Sequence, residues 1–211
     1  MSDTSKSRSL WELVVLAFLR ERSMHPYEMQ RLLRERHKDD LLVLKRGSLY
    51  HAIRRLEAEG LIRAAGVDRD GRRPERTTYV LAEEGLAELI RWLREMLSVP
   101  QREPSEFMAS VSFLIHLAPE DAVARLEERC RWLEREIAEL SAGMAAAAAA
   151  EHVERIHLIE SEYLRAMRRA ELDWVRSLLK DLRSGGLAWD LKQVFKQARE
   201  FGRASEAEGE K

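Results

Sequence analysis

Between Gly47 and Ile62 lies the densest set of groups able to do chemistry: Ser48, Tyr50, His51, Arg54 and Arg55, with Lys45 and Arg46 just ahead of them. Leu49, Ala52, Ile53 and Leu56 recur at helical spacing, which predicts a short helix with one buried face. Ser48 is placed to cap its first turn, because a serine oxygen accepts an orphan backbone N–H. Gly60 is placed to end it, because glycine takes the left-handed conformation at little steric cost. Such a helix buries one side and offers Arg, His and Tyr on the others. That chemistry suits a DNA major groove: arginine reaches guanine bidentately, and neighbouring basic groups hold phosphates. The plainer reading is a solvated basic face, which most surface helices carry.

The residues beyond the helix separate the two readings. Leu61 to Ala65 and Arg76 to Leu81 read as two strands, and Asp70-Gly71 between them is a turn signal. The tip, Val67 to Pro74, and the start of the second strand carry Arg69, Arg72, Arg73 and Arg76. Three helices and then a hairpin with an arginine-rich tip is the order of a winged helix-turn-helix. In that fold a helix docks in the major groove and the wing reaches backbone or minor groove.

No other constellation converges on chemistry. Cys130 lies in a heptad seam, where a thiol serves as a small apolar side chain. His152 and His157 are five apart and so fall on different helix faces, unlike an i, i+4 metal pair. His116 is isolated, and Asp39-Asp40 and Glu83-Glu84 read as loop and helix-start charges. There is no Walker loop and no dinucleotide fingerprint. No catalytic residues, metal or cofactor are expected, and the chain reads as a non-enzyme.

Elements able to position the basic helix can be placed around it. A first helix spans about Ser9–Arg22, with Leu10, Leu13, Val14, Ala17 and Phe18 as its stripe and Leu16 and Leu19 widening it. So much apolar surface predicts cover on more than one side. A second helix starts at Pro26, which is tolerated at a first helical position, and runs to about Arg36; His25 reads as a cap or surface residue. His37 to Asp40 is a polar loop, and Leu41 to Leu44 could pair briefly with the wing. A fourth helix, about Glu83–Leu97, points Leu86, Leu89, Ile90, Leu93 and Leu97 inward and sets Trp92 and Met96 one turn apart.

Ser98 to Pro104, with two prolines, reads as a linker. It divides a DNA-binding domain, 1–98, from a helical dimerisation domain, 105–202, with a disordered tail at 203–211. In the second part Phe107, Val111, Leu114 and Ile115 make a short stripe. Val123, Leu126, Cys130, Leu133, Ile137 and Leu140 then alternate three and four apart, the pattern of a helix packed lengthwise on another. The alanine run at 145–150 comes next, with Gly143 as a bending point. A long helix is expected from about Glu151 to Arg183, with Ile156, Ile159, Tyr163, Met167, Ala170, Trp174 and Leu178 along one side. Gly185-Gly186 ends it, and a last helix spans about Ala188–Phe201.

The chain has 211 residues and a net charge of −1. That small total hides an asymmetry: residues 1–82 hold 17 basic and 12 acidic side chains, and the remainder holds 19 and 25. A basic first part suits a polyanion-binding module. One cysteine permits no internal disulfide, and no long apolar run or signal pattern is present, so a soluble cytoplasmic protein is expected.

Several short motifs, in order, resemble those of the PadR family of bacterial transcriptional regulators. They are Met24 to Met29, Gly47-Ser48-Leu49-Tyr50, Arg55-Leu56-Glu57, Gly60-Leu61-Ile62, Gly71 to Pro74 and Tyr79-Val80-Leu81 with Glu84-Gly85. Glu160, Glu162-Tyr163, Glu171, Trp174 and Gly185 resemble the longer C-terminal domain that some members carry. His51 stands where proline is frequent in the family, and Ala82 where a threonine usually caps the fourth helix. The resemblance implies a mainly α chain: a winged helix-turn-helix domain with a small β-hairpin, then an all-α domain whose arms clasp a partner subunit. It implies a homodimer on double-stranded DNA with a near-palindromic operator, more often a repressor. Tyr27 would approach the DNA backbone or pack under the third helix. Some members bind flat aromatic effectors near the first and fourth helices; Trp11 and Trp92, with Met96, could stack one here, or could fill core and dimer contacts. The alternative function is a winged-helix protein-interaction adaptor without specific DNA binding.

Overall fold

The computed structural model describes residues 8–36, 38, 48–68, 76–100, 105–150, 153–193 and 196, with backbone alone at 67, 68 and 76. The chain divides into two compact units, Met1–Arg102 and Glu103–Lys211. The first holds α1 (Leu10–Glu21), α2 (Pro26–Glu35), α3 (Ser48–Ala58), β1 (Ile62–Asp68), β2 (Arg76–Leu81) and α4 (Glu83–Ser98). In the second, α5 (Glu106–Ser112) leads through a 3-10 turn at Leu114–His116 to α6 (Pro119–Ala149). A further 3-10 turn at Arg155–His157 precedes α7 (Ile159–Ser184). The fold is mainly α, with one two-stranded antiparallel hairpin.

In the first unit α1 is the central element. Trp11, Val14, Val15, Leu16, Phe18 and Leu19 are all buried, and Val15 and Leu16, of which only Leu16 belongs to the sequence stripe, are wholly covered. Around it pack Met29 and Leu33 of α2, Leu49, Ala52, Ile53 and Leu56 of α3, Leu89 of α4, and Met24, Leu61 and Ile62. Ser9 caps α1 through a capping box with Glu12. His25 caps α2, its Nδ1 accepting from the Tyr27 N–H at 3.0 Å, with Pro26 in the first turn. Arg36 ties the end of α2 to α1: it lies over the Phe18 ring and donates twice to Glu21, while Arg22 donates to Glu28.

The end of α3 is made by backbone geometry. Gly60 takes φ +73°; its N–H donates to Glu57 O at 3.0 Å, and the Leu61 N–H donates to Leu56 O at 2.9 Å. This pair of bonds is a Schellman motif, which satisfies helix-end carbonyls and turns the chain sharply. At the other end the structure corrects the expected cap. Ser48 is the first helical residue, so the cap position falls on Gly47, outside the described residues.

Beyond Gly60 the chain enters the hairpin, which pairs Ile62 with Leu81 and Arg63 with Val80 and carries an extra residue between Ala64 and Gly66. Met24 forms a bridge to Tyr79, in the role expected of Leu41 to Leu44, which lie outside the described residues. The Ala82 N–H, where α4 begins without a side-chain cap, donates to Leu61 O at 3.1 Å. Gly85 then packs so closely that a Cβ there would lie 2.0 Å from that same carbonyl oxygen. Of the α4 residues expected inward, Leu89 is buried and Leu86 and Ile90 are half-buried, but Leu93 is 38% and Leu97 88% exposed. The helix continues past the core it starts on, which periodicity alone cannot show.

In the second unit α6 and α7 pack along a seam of Leu126, Cys130 and Leu133 against Leu172, Val175 and Leu179. Ion pairs flank the seam: Arg129–Glu171, Arg176–Glu134, Arg183–Glu127 and Arg168–Glu136. Residue numbers rise on one helix as they fall on the other, so the two run antiparallel. In the last pair Nε and Oε2 approach to 2.7 Å but out of line for a hydrogen bond. The long helix starts at Ile159 rather than at Glu151, because an antiparallel pair needs a reversing connection. Its expected stripe shares a side that faces mostly outward: Ile156, Ile159, Tyr163, Met167, Ala170 and Trp174 are exposed, while Leu178 packs against the seam. The helix is apolar on two faces, and spacing does not say which one packs within the chain. Gly143 leaves α6 unbroken, and Gly185, at φ +76°, ends α7. Half of the expected last helix is described, with 188–190 outside any helix and 191–193 helical; the tail lies wholly outside the described residues. No helix among the described residues is long and apolar enough to cross a membrane.

Two glycines should respond oppositely to alanine. Gly85→Ala must push α4 off the Leu61 carbonyl and should cost about 3 kcal/mol of first-unit stability, the upper end of overpacking. Gly143→Ala adds a methyl into open space on a helix and should raise second-unit stability by about 1 kcal/mol. Denaturant titration with probes in each unit checks both.

Acid should loosen the α1–α2 corner. Hydrogen bonds from Arg36 and Arg22 hold the Glu21 and Glu28 carboxyls below their ordinary value of 4.5. A depressed folded value stabilises above that pH and is lost as pH falls through the folded values. The melting temperature of the parent should therefore drop more steeply below pH 4.5 than that of a Glu21→Gln, Glu28→Gln double variant.

Candidate nucleic-acid interface

The buried side of α3 leaves an outer side on which Tyr50, 54% exposed, stands with His51 and Arg54. Arg54 Nη2 lies 3.0 Å from His51 Nδ1. A guanidinium only donates, so this contact makes Nδ1 the acceptor and leaves the ring proton on Nε2. The pair orders two long side chains against each other and keeps an imidazole N–H, further guanidinium N–H groups and a phenol available to an incoming ligand. Those are donors of the kind that read guanine O6 and N7 and bind phosphate oxygens. Ser48 is half-buried at the start of the same helix. Lys45 and Arg46, expected beside it, lie outside the described residues.

Arg55 stands one turn after His51 and is 34% exposed, but its guanidinium is drawn to carboxylates. Its Nη1 is 3.3 Å from Glu12 Oε1, and its Nε donates to Glu59 Oε1 at 3.4 Å. Glu12 is 2% exposed, and its Oε2 accepts from Arg8 Nη1 at 3.2 Å. Arg8 in turn donates to Glu59 and pairs with Glu88 of α4 at 2.7 Å. Burial works against charge on Glu59, but hydrogen bonds from Arg8 and Arg55 hold its carboxyl below the ordinary range. Glu88 is likewise lowered, chiefly by a hydrogen bond from Arg91 and further by Arg8. The physical reason for this pairing is a buried carboxylate: an unpaired charge in the core is costly, and Arg55 is the cation on α3 that reaches it.

Tyr27, 57% exposed in the first turn of α2, is open to solvent rather than tucked beneath α3. On the wing, Arg69, Arg72 and Arg73 lie outside the described residues, and Arg76 is described by its backbone at the start of β2. Arg63, which the sequence did not single out, is exposed on β1 opposite Val80, near the base of the hairpin. Strand alternation after Ile62 was the available signal, but the neighbouring alanines, both exposed, blur it.

The three residues considered for an effector separate. Trp11 is 3% exposed, packed in the core of the first unit, so it offers no open ring face. Trp92 is half-buried and Met96 is 40% exposed on α4. For other chemistry, burial pushes the Cys130 thiol up, away from the thiolate form. His157 lies in a 3-10 turn, and His152 lies outside the described residues. Among the described residues no three His, Cys, Asp or Glu side chains gather as a metal site.

Comparisons with known proteins agree with the fold. Residues 15–91 match the model of the transcriptional regulator PadR-like family. Bacillus subtilis PadR in complex with operator DNA superposes with a TM-score of 0.66 at 19% identity, over 82% of this chain and 99% of that one. The same protein in complex with p-coumaric acid gives 0.68 at 18% identity, over the same shares. The Vibrio cholerae virulence activator AphA gives 0.60 at 16% identity, over 82% of this chain and 98% of that one. At such identities the likeness is one of fold, and it spans both units. No curated protein matches the chain. The stretch from within α1 to within α4, residues 15–91, thus belongs to the PadR-like family of transcriptional regulators.

Proposed function

We propose that the chain is a homodimeric, sequence-specific DNA-binding regulator that acts as a repressor in the cytoplasm. The observation that carries this reading is the outer side of α3, where Tyr50, His51 and Arg54 stand exposed on a helix whose other side is locked into a core. In this reading α3 of each subunit enters a major groove, with Arg54 and His51 on base edges. Ser48, Tyr50 and Tyr27, with Lys45 and Arg46, hold the nearby backbone. Arg69, Arg72, Arg73 and Arg76 of the wing, joined by Arg63, hold flanking phosphates. The likeness to a PadR solved with operator DNA supports it.

The dimer rests on the outward stripe of α7. Ile159, Tyr163, Met167 and Trp174 recur at helical spacing on an exposed side. Apolar strips of this kind are seldom left in water and are covered most simply by the same strip of a second copy. Two α3 helices held one DNA turn apart require a near-palindromic site. A flat aromatic effector stacking on Trp92 beside Met96 would act by changing that separation, since a shift of a few ångströms breaks simultaneous docking. The PadR solved with p-coumaric acid supports that ligand class.

Three results test the reading. A gel shift on the DNA upstream of its own gene should appear at low salt; no shift would favour a protein-interaction adaptor. Arg54→Ala and His51→Ala should each cut the preference for that DNA over random duplex by about tenfold. Arg72→Ala should weaken both alike and flatten the salt dependence by about one phosphate contact.

Separately, Met167→Glu should turn a dimer into a monomer in sedimentation equilibrium, whereas an unchanged dimer would remove the α7 stripe from the interface.

A further inference from the structure

Among the described residues, the core of the first unit holds one charged side chain, Glu12. Its surroundings form a closed ring. Glu12 meets Arg8 and Arg55; Arg8 and Arg55 both meet Glu59; and Arg8 extends the ring to Glu88. Four places in the chain are joined this way: the residue before the α1 cap, α1 itself, the end of α3, and α4. The Ser9 N–H and hydroxyl also face Glu12 Oε1, at 3.5 and 3.4 Å.

Apolar packing holds a helix by area and tolerates small rolls about its axis. Directed charge pairs do not, because guanidinium and carboxylate must meet along fixed directions. Buried ion pairs are poor sources of stability, and their best-attested use is to fix one arrangement among several. Here the fixed arrangement concerns the helix with the outer set Tyr50, His51 and Arg54. Arg55 is the next residue after Arg54, so the same turn of α3 carries a reading group outside and a tether inside.

We propose that Glu12 is a specificity-positioning residue: it sets the roll of α3 and keeps Arg55 from becoming a further, indiscriminate cation at the DNA surface. This rests on the DNA-binding reading and deepens it. The long arginine side chain, already 34% exposed, has room to turn outward once the carboxylate is gone. An added cation at a DNA face strengthens binding to every sequence and steepens its salt dependence, while a looser helix weakens base readout.

The test uses the full chain, a duplex enriched from a random pool by the parent protein, and a random duplex, titrated by fluorescence anisotropy across a salt series. Glu12→Gln should bind random duplex more tightly than the parent at low salt, steepen the salt slope by about one contact, and cut the preference for the enriched duplex by about tenfold. Adding Arg55→Gln to that variant should return random-duplex affinity and slope to the parent's. A merely structural role for Glu12 would lower binding to both duplexes in parallel, with the slope unchanged, and that result overturns the inference. Should Glu12→Gln fail to fold, Glu59→Gln releases the other anchor of Arg55 at the surface and should give the same signs; a parallel loss there overturns the inference equally. If no duplex is enriched by the parent, the DNA-binding reading itself falls, and this inference with it.

Discussion

The first unit depends on the burial of one side of an eleven-residue helix, α3. Leu49, Ala52, Ile53 and Leu56 are all but inaccessible, and together they consume the inward arc of the helix. With 100° between successive residues, that choice leaves Tyr50, His51 and Arg54 no direction but outward. The apolar residues therefore select which polar ones are presented. α1 makes this possible by being apolar nearly all round, so that it can serve as the common floor for α2, α3 and α4.

A single carbonyl joins the later parts to that floor. Leu61 O accepts the Ala82 N–H and is approached by the bare Cα of Gly85, while the Leu61 N–H closes the Schellman motif of α3. The end of the reading helix, the base of the wing and the start of α4 meet at one residue. Their relative placement is set by backbone geometry, which is less forgiving than side-chain packing. Glu12 and its arginines add a second, electrostatic constraint on the same assembly.

Much of this was legible in the sequence, because local signals carried it. Pro26 at a helix start, Gly60 at a helix end and the seam around Cys130 all state their roles within a few residues. What was not legible depended on partners far along the chain. Glu59, four residues on, is a local partner for Arg55, but the buried one, Glu12, lies more than forty residues away. Leu93 and Leu97 keep the helical period of Leu89 but outrun the core beneath it. On α7 two apolar sides compete, and the period is the same for both; the neighbour, α6, decides. Exposed arginines beside small residues, as at Arg63, leave no pattern to read at all.

The extra residue between Ala64 and Gly66 bears on how such a protein can change. Along a strand, successive side chains alternate between the two sheet surfaces, and a bulge absorbs one inserted residue so that pairing resumes beyond it: Ala64 sits opposite Tyr79 and Gly66 opposite Thr78. Ala65 thus acts as a spacer: the base of the hairpin, anchored by Ile62 opposite Leu81, and the pairs from Gly66 onward both keep their register around it. Because β2 runs through these pairs without interruption, its alternation fixes which surface each β1 position faces, and the single extra residue leaves that order intact. One strand can in that way carry a residue more than its partner without turning over, and the helix that the core holds is untouched.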